Sequence, residues 1–205
     1  MKPEIKTVYS PARLSARVAQ MGRAISRDYA GRTVHVVVLE NAFVFAADLI
    51  RHISCPVVCH FVLSEMRDVH LGGYERREIF FIPEPHLAGC DVLLLDAVLQ
   101  SGVTLDFLAK RLQQSRPRSF RLAVLLDRPQ DRKVDLQPDY FGFKAASKYL
   151  VGYGLPGNGG LYRNLPYVGS PDSGRPHARS SPASSRRPPR RAGSPRRGKR
   201  AKSVR

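Results

Sequence analysis

Short apolar runs that alternate with helical segments constrain the fold of this chain more than any other feature of its sequence. Four runs rich in Val and Leu suit strands that are buried on both faces of a sheet: 34–39, 57–63, 91–99 and 120–126. Three intervening segments carry apolar residues at three- and four-residue spacing, which predicts helices: 10–28, 42–52 and 104–115. This alternation predicts an α/β fold with a mainly parallel central sheet and helices on both faces.

Shorter segments are predicted to extend this sheet. Residues 79–82 suit an edge strand, and 140–143 and 150–153 suit short strands near the end of the folded part. Ligands of such sheets bind at the carboxyl ends of the strands, so candidate functional residues are sought there.

The last part of the chain differs in composition from the rest. Residues 170–205 contain ten Arg, two Lys and one Asp, and this excess of cations supplies most of the chain's net charge of +17. The same residues include no Leu, Ile, Met, Phe, Tyr or Trp. Such a segment cannot bury a core, so we expect two parts: a folded domain, 1–169, and a disordered basic tail, 170–205. Residues 175–205 are expected to bind a polyanion or nucleic acid with strong salt dependence and little base selectivity. The alternatives are an acidic protein partner or a solvated extension without a function of its own.

Cysteine usage and hydropathy indicate a cytoplasmic protein that does not enter a membrane. The three cysteines, Cys55, Cys59 and Cys90, are too few and odd in number for a disulfide framework. The sequence has neither an apolar signal segment at its start nor a run long enough to span a bilayer. Cys55 and Cys59 are too far apart on an extended strand to share a metal, and His60 is expected on the opposite face, so all three are interpreted as structural.

The strand predicted at 91–99 leads into the loop 100–104 and then into a helix. A loop of this kind presents backbone N–H groups and hydroxyls at the positive end of the helix, where a phosphate binds. Gly102 permits a tight turn, and Ser101 and Thr104 offer hydroxyl donors. The alternative is an ordinary strand-to-helix turn capped by Ser or Thr.

Six ordered segments of the chain read ISRDYAG (25–31), AFVFAADLIRHI (42–53), DVLLLDAVLQSGVTL (91–105), LLDRP (125–129), DYFGF (139–143), and YLVGYG with LYRNLPYVG (149–154, 161–169). In this order and with this spacing they resemble bacterial hypoxanthine-guanine phosphoribosyltransferases, which are type I phosphoribosyltransferases. The resemblance covers residues 10–169 and implies the type I phosphoribosyltransferase fold with a small C-terminal hood. It implies transfer of a 5-phosphoribosyl group from phosphoribosyl pyrophosphate to N9 of a 6-oxopurine, Mg²⁺ as cofactor, and a homo-oligomer.

The resemblance also implies roles for individual residues. Asp96 would hold the ribose hydroxyls and weakly support the metal, and the loop Ser101, Gly102, Val103 and Thr104 would bind the phosphate. In the purine pocket, Arg128 stands where the family has a Lys that donates to the 6-oxo group, Tyr149 stands at the stacking aromatic, and the backbone of Leu150 would read the base edge. Arg163 matches an Arg near the pyrophosphate. Without the resemblance, Tyr149 reads as a core aromatic and Arg128 as an exposed cation at a strand end.

Four positions depart from the family's pattern. Ala97 replaces the second of two adjacent acids, and Gln100 replaces the Asp that handles a proton near purine N7. Glu40 replaces the Lys of the pyrophosphate loop, and Pro156 replaces an Asp that helps hold a second magnesium. The family's mobile flap carries a Ser-Tyr pair, which has no recognisable counterpart in residues 63–68. Gly72-Gly73-Tyr74 offers a candidate flexible loop.

These residues leave three functions open. The first is a purine salvage phosphoribosyltransferase with impaired activity. The second is a non-catalytic paralogue that binds a purine nucleotide for regulation or assembly. The third is a polyanion-binding protein that acts through its basic tail.

Overall fold

The computed structural model describes residues 4–71, 74–82, 85–145 and 149–171. Three helices are α1 (Pro11–Asp28), α2 (Phe43–Ile50) and α3 (Val103–Gln114). The strands are β1 (Ile5–Tyr9), β2 (Val34–Leu39), β3 (Val57–Leu71), β4 (Tyr74–Ile82), β5 (Asp91–Leu99), β6 (Ser119–Asp127), β7 (Tyr140–Lys144) and β8 (Val168–Pro171).

The central sheet has the strand order β4-β3-β2-β5-β6-β7. Strands β3, β2, β5, β6 and β7 are parallel, and β4 pairs antiparallel with β3 at one edge. Alternate residues of β2 enter different cores: Val36 and Val38 pack with α1 and α2, whereas Val37 and Leu39 pack with α3. The predicted α/β fold with helices on both faces is therefore confirmed.

The helices follow the sequence pattern closely. Ser10 caps α1 by accepting a hydrogen bond from the Arg13 N–H at 3.4 Å, and Pro11 occupies the first turn. Helix α2 is shorter than the predicted 42–52, since the predicted first residue, Ala42, belongs to a 3₁₀ turn, Glu40–Ala42, and the helix ends at Ile50 with Arg51 as its C-cap. Helix α3 begins at Val103, one residue before the predicted start.

Two predicted strands need correction. Strand β3 does not end at residue 63: Leu63–Leu71 pairs with β4 after Val57–Val62 has paired with β2. The predicted strand at 150–153 is wrong, since this segment forms only isolated bridges, Val151 to Gly169 and Gly152 to Leu155. Tyr153 there has a φ of 52° and Gly152 a φ of 91°, which a continuous strand cannot contain.

A small second sheet was not predicted. Strand β1 pairs antiparallel with β8, joining the two ends of the described chain, and Gly169 of β8 also bridges Val151. The pairing includes Ser170 and Pro171, so regular structure continues two residues past position 169. The remaining tail, 172–205, and Gly72-Gly73 lie outside the described residues.

Within the described ranges, no helix combines the length and apolar character needed to cross a bilayer. The cysteines Cys55, Cys59 and Cys90 are free thiols. The His60 side chain pairs with that of His35 on the neighbouring strand, with 3.1 Å between Nε2 of His60 and Nδ1 of His35. No group of three or more metal-ligating side chains is found in the part of the chain that the structure describes.

Candidate functional site

A pocket lies at the carboxyl ends of β5 and β6, the position expected for a parallel sheet. Its cavity volume is about 230 Å³. Its lining comes from the ends of β5 and β6, the turn after β2 and the segment 149–156: Asn41, Asp96, Ala97, Val98, Gln100, Leu126, Arg128, Tyr149, Leu150, Leu155 and Pro156. Five residues predicted for the site, Asp96, Gln100, Arg128, Tyr149 and Leu150, thus meet around one cavity.

Of the two adjacent acids in the family's motif, this chain has the first, Asp96, at the end of β5. One of its oxygens, Oδ1, accepts a hydrogen bond from the Ala97 N–H at 2.7 Å. Burial raises the pKa of Asp96 to about 7, against the opposing effect of the Ala97 and Val98 N–H groups. A substantial fraction of this side chain is therefore protonated at neutral pH, which weakens it as a metal ligand and makes it able to exchange a proton.

The loop 100–104 has the conformation that its glycine predicts. Gly102 has a φ of 79°, and a Cβ at this position would lie 2.8 Å from Cγ2 of Val134. A hydrogen bond from the Lys133 N–H to the Ser101 carbonyl, 2.9 Å long, joins the loop to the segment that follows β6. Helix α3 starts directly after Gly102, so its first N–H groups lack carbonyl partners within the helix. Val103 and Thr104 are exposed, and the predicted residues Ser101 to Thr104 are not among those that line the pocket.

Arg128 is buried, with a residue exposure of 2 %. The interpretation as an exposed strand-end cation is therefore wrong. Its backbone N–H donates to the Leu99 carbonyl at 3.0 Å, which ties the end of β6 to the end of β5. Its guanidinium donates to Oδ2 of Asp131 at 2.6 Å.

Asp131 was not identified from the sequence. It ends a 3₁₀ turn, Pro129–Asp131, and its Oδ2 also accepts a hydrogen bond from Nε2 of Gln100 at 3.0 Å. One carboxylate thus links the start of the 100–104 loop to Arg128. The sequence signal was an acid three residues after a cation, a spacing that brings side chains together in a helical turn.

Tyr149 and Leu150 form the opposite wall of the pocket. Both are half-buried, and the Tyr149 hydroxyl donates to Oδ1 of Asn158 at 3.3 Å. The alternative interpretation of Tyr149 as a core aromatic is therefore wrong.

Arg163 does not line the pocket itself but contacts Asn41, which does. Its guanidinium donates to the Asn41 side-chain oxygen at 2.9 Å and to the Gly154 carbonyl at 2.8 Å. Asn41 lines the pocket and sits in the turn after β2, next to the exposed Glu40. Arg163 therefore ties this turn to residues 149–156, which form the C-terminal hood, and the exposed Glu40 adds a negative charge beside the turn.

Comparison with known proteins identifies relatives of this chain. A family model described as phosphoribosyl transferase domain matches residues 5–156. The hypoxanthine phosphoribosyltransferase of Salmonella typhimurium is 31 % identical over 172 residues, which cover 82 % of this chain and 96 % of the relative. The hypoxanthine-guanine phosphoribosyltransferase of Bacillus subtilis is also 31 % identical over 172 residues, covering 82 % of this chain and 94 % of that protein.

Solved structures agree with these relatives. A crystal structure of a hypoxanthine-guanine phosphoribosyltransferase from Bacillus anthracis matches with a TM-score of 0.72 and 31 % identity, over 83 % of this chain and 99 % of that one. A hypoxanthine phosphoribosyltransferase from Trypanosoma cruzi, in complex with the product IMP, matches with a TM-score of 0.69 and 25 % identity, over 82 % of this chain and 93 % of that one.

Proposed function

The chain belongs to the phosphoribosyl transferase family, in its hypoxanthine-guanine branch, and on that premise we propose that it binds a purine nucleotide in the pocket and catalyses phosphoribosyl transfer slowly. The observation that carries the proposal is that a buried arginine and a half-buried aromatic ring line one pocket at the carboxyl end of a parallel sheet, and that helix α3 begins shortly after Gln100, which lines the same pocket. These are a hydrogen-bond donor, a stacking surface and an anion-binding loop, which are the groups that a nucleotide requires.

Each part of the nucleotide has a partner under this proposal. The loop from Ser101 to Thr104 binds the 5-phosphate, and Asp96 binds the ribose hydroxyls. Arg128 donates to the purine 6-oxo group, and Tyr149 stacks on the ring while the Leu150 backbone contacts the base edge. In the reaction, the bond between C1′ and the pyrophosphate oxygen breaks, a bond from N9 to C1′ forms, and the purine loses a proton.

Slow turnover is expected because two groups are altered: the one that would take up the purine proton and the one that would stabilise the departing pyrophosphate. Gln100 can hydrogen-bond but cannot accept a proton at neutral pH, and losing one general acid-base group costs about a hundred- to ten-thousand-fold in rate. Glu40 places an anion where the family has a cation, so it repels pyrophosphate.

Magnesium, which the family uses, fits this pocket poorly. Asp96 is the one carboxylate in the lining, and its raised pKa disfavours the ionised form that binds a hard cation. Ala97 and Pro156 offer no side-chain oxygen. We therefore assign no step of the reaction to a metal held by this chain.

A second candidate function is a non-catalytic paralogue that binds a purine nucleotide for regulation or assembly. It is favoured by the uneven distribution of the changed positions: the groups proposed for a monophosphate remain, while Glu40, Ala97, Gln100 and Pro156 affect proton transfer, pyrophosphate and metal. Such a protein would bind GMP or IMP without needing phosphoribosyl pyrophosphate.

Two further partners rest on surface features. The positive charge of residues 175–205 supports a polyanion or nucleic-acid partner, tested by the salt dependence of binding to duplex DNA. Exposed apolar side chains on α2 and β3, namely Phe43, Phe61 and Leu63, support a homo-oligomer, tested by sedimentation. A cytoplasmic location stays a prediction.

The deciding experiment uses the full chain. Its thermal stability is measured with GMP, with IMP and with phosphoribosyl pyrophosphate, and IMP formation from hypoxanthine is measured in parallel. A ligand that prefers the native state raises its stability, so monophosphate stabilisation with slow turnover supports the proposal. Stabilisation with no turnover leaves the paralogue, fast turnover contradicts both, and no stabilisation removes nucleotide binding.

A further inference from the structure

A carboxylate outside the matching motifs, Asp131, connects two polar groups of the pocket. Its Oδ2 accepts from Nε2 of Gln100 at 3.0 Å and from the Arg128 guanidinium at 2.6 Å. Its own backbone N–H donates to the Arg128 carbonyl at 3.2 Å, which fixes the carboxylate within the 3₁₀ turn. Asp131 therefore holds a defined position, with 23 % of its side chain exposed.

The chemistry of this contact decides how the Gln100 amide is oriented. The two ends of a glutamine amide have nearly the same shape, and only their hydrogen-bond partners tell them apart. An ionised carboxylate can only accept hydrogen bonds, so it selects the NH₂ end of Gln100. The carbonyl oxygen, Oε1, is then the end left to meet a ligand in the pocket that Gln100 lines.

We propose that Asp131 is a specificity-determining residue that fixes Gln100 as a hydrogen-bond acceptor towards the N7 edge of the purine. This inference rests on the proposed function, in which position 100 lies beside N7. An acceptor at that point favours a ring that carries hydrogen at position 7. It disfavours a ring whose N7 bears a lone pair, because two acceptors then face each other without a proton between them.

Substrate and product differ in this respect. A free 6-oxopurine has a tautomer with hydrogen on N7 and a lone pair on N9, which can donate to Oε1 and leaves N9 ready to form the glycosidic bond. In the nucleotide, N9 carries the ribose and N7 has only a lone pair. The contact therefore holds the base in the reactive tautomer and weakens binding of the finished nucleotide.

Asp131 also bonds to Arg128, so removing its charge changes two contacts together. The change at Arg128 affects every 6-oxopurine ligand equally, whereas the change at Gln100 depends on the atom at position 7. The readout is therefore a ratio of two affinities, in which the effect at Arg128 cancels.

The test compares GMP with 7-deaza-GMP, in which a C–H group replaces N7, by calorimetric titration of the full chain. We expect 7-deaza-GMP to bind about tenfold more tightly than GMP. In Asp131→Asn, whose amide can present either end to Gln100, the ratio should fall towards one. Asp135→Asn, which removes an exposed carboxylate from the same segment, should retain the wild-type ratio.

Each other outcome overturns the inference in a distinguishable way. If the wild-type chain binds GMP as tightly as the analogue, Gln100 does not present its carbonyl to N7. If Asp131→Asn keeps the preference, another group orients the amide. If neither nucleotide binds, the proposed function itself fails, and the inference fails with it.

Discussion

The pocket has two sides that differ in how far they keep the pattern of the family. The base side is formed by Gln100, Arg128 and Tyr149, with the turn that starts helix α3 directly after Gln100, and it has a buried cation and an aromatic wall. The pyrophosphate side, formed by Asn41 and Pro156 next to the exposed Glu40, departs from the family's pattern at Glu40 and at Pro156. Both sides rest on the same intact sheet, so the fold does not explain the difference.

The difference indicates that one fold can keep the residues that bind a nucleotide while changing those that transfer its phosphoribosyl group. Binding a monophosphate needs donors and a stacking surface, which the base side offers. Transfer also needs charge neutralisation of the leaving group and a proton acceptor, which depend on the altered positions. The following experiments test whether the two sides are as independent as this comparison implies.

The largest effect is expected from Gln100→Asp, which returns a titrating group to the base side. Its carboxylate would lie near Asp131, whose like charge raises the pKa of the new group towards neutrality. The rate of IMP formation should rise by about a hundredfold. Gln100→Asn is the matched control without a carboxyl group, and no gain in Gln100→Asp would place the defect on the pyrophosphate side.

Gly102→Ala should weaken GMP binding by about thirtyfold. The φ of 79° is strained for alanine, and its Cβ would approach Val134 at 2.8 Å, so the loop must shift at a cost of about 2 kcal/mol. Titration with GMP measures the loss. Gly89→Ala is the control, since Gly89 has a φ of 69° but no atom near its missing Cβ. Equal losses in both variants would mean that strain lowers stability generally.

Glu40→Lys should strengthen binding of pyrophosphate by about thirtyfold, because reversing one charge replaces a repulsion of about 1 kcal/mol with an attraction of similar size, a change of about 2 kcal/mol. GMP binding should stay within about twofold. The gain should shrink as salt is added, since the side chain is exposed. A matching gain for GMP would show that the two sides are coupled.

The smallest effect is expected on stability, from Asp96→Asn. The pKa of Asp96 is raised to about 7 in the folded chain, above the ordinary value for an aspartate of about 3.9, so the folded state binds the proton more tightly. The stabilisation is complete below about pH 4 and is lost as pH rises through 7. Urea unfolding should show wild type losing about 1 kcal/mol more than the variant between pH 6 and 7. Parallel pH profiles would contradict the raised pKa.

The sequence predicted those elements whose cause is local. The apolar runs of β2 and β5 and the periodic stripe of α1 require burial wherever they occur, so they were recognised without knowing the partner strand. The Gly102 turn was predicted for the same reason. Together with the ordered motifs, these patterns located the pocket before its geometry was known.

Features that depend on distant partners were not predictable. Strand β1, with the sequence IKTVY, has no apolar run and forms only because β8 pairs with it. The second half of β3 depends on β4 in the same way. The burial of Arg128 and the role of Asp131 depend on where a 3₁₀ turn places a carboxylate, and the motif comparison had no reason to single out Asp131.

The pairing of β1 with β8 also sets the order in which the protein can be completed on the ribosome. Ile5 is synthesised before its partner Pro171, which follows more than 160 residues later. At usual elongation rates the first strand waits for about ten seconds or more before its partner exists. Because β8 in turn bridges Val151, beside Tyr149 and Leu150, the hood wall of the pocket is the last part of the site to form.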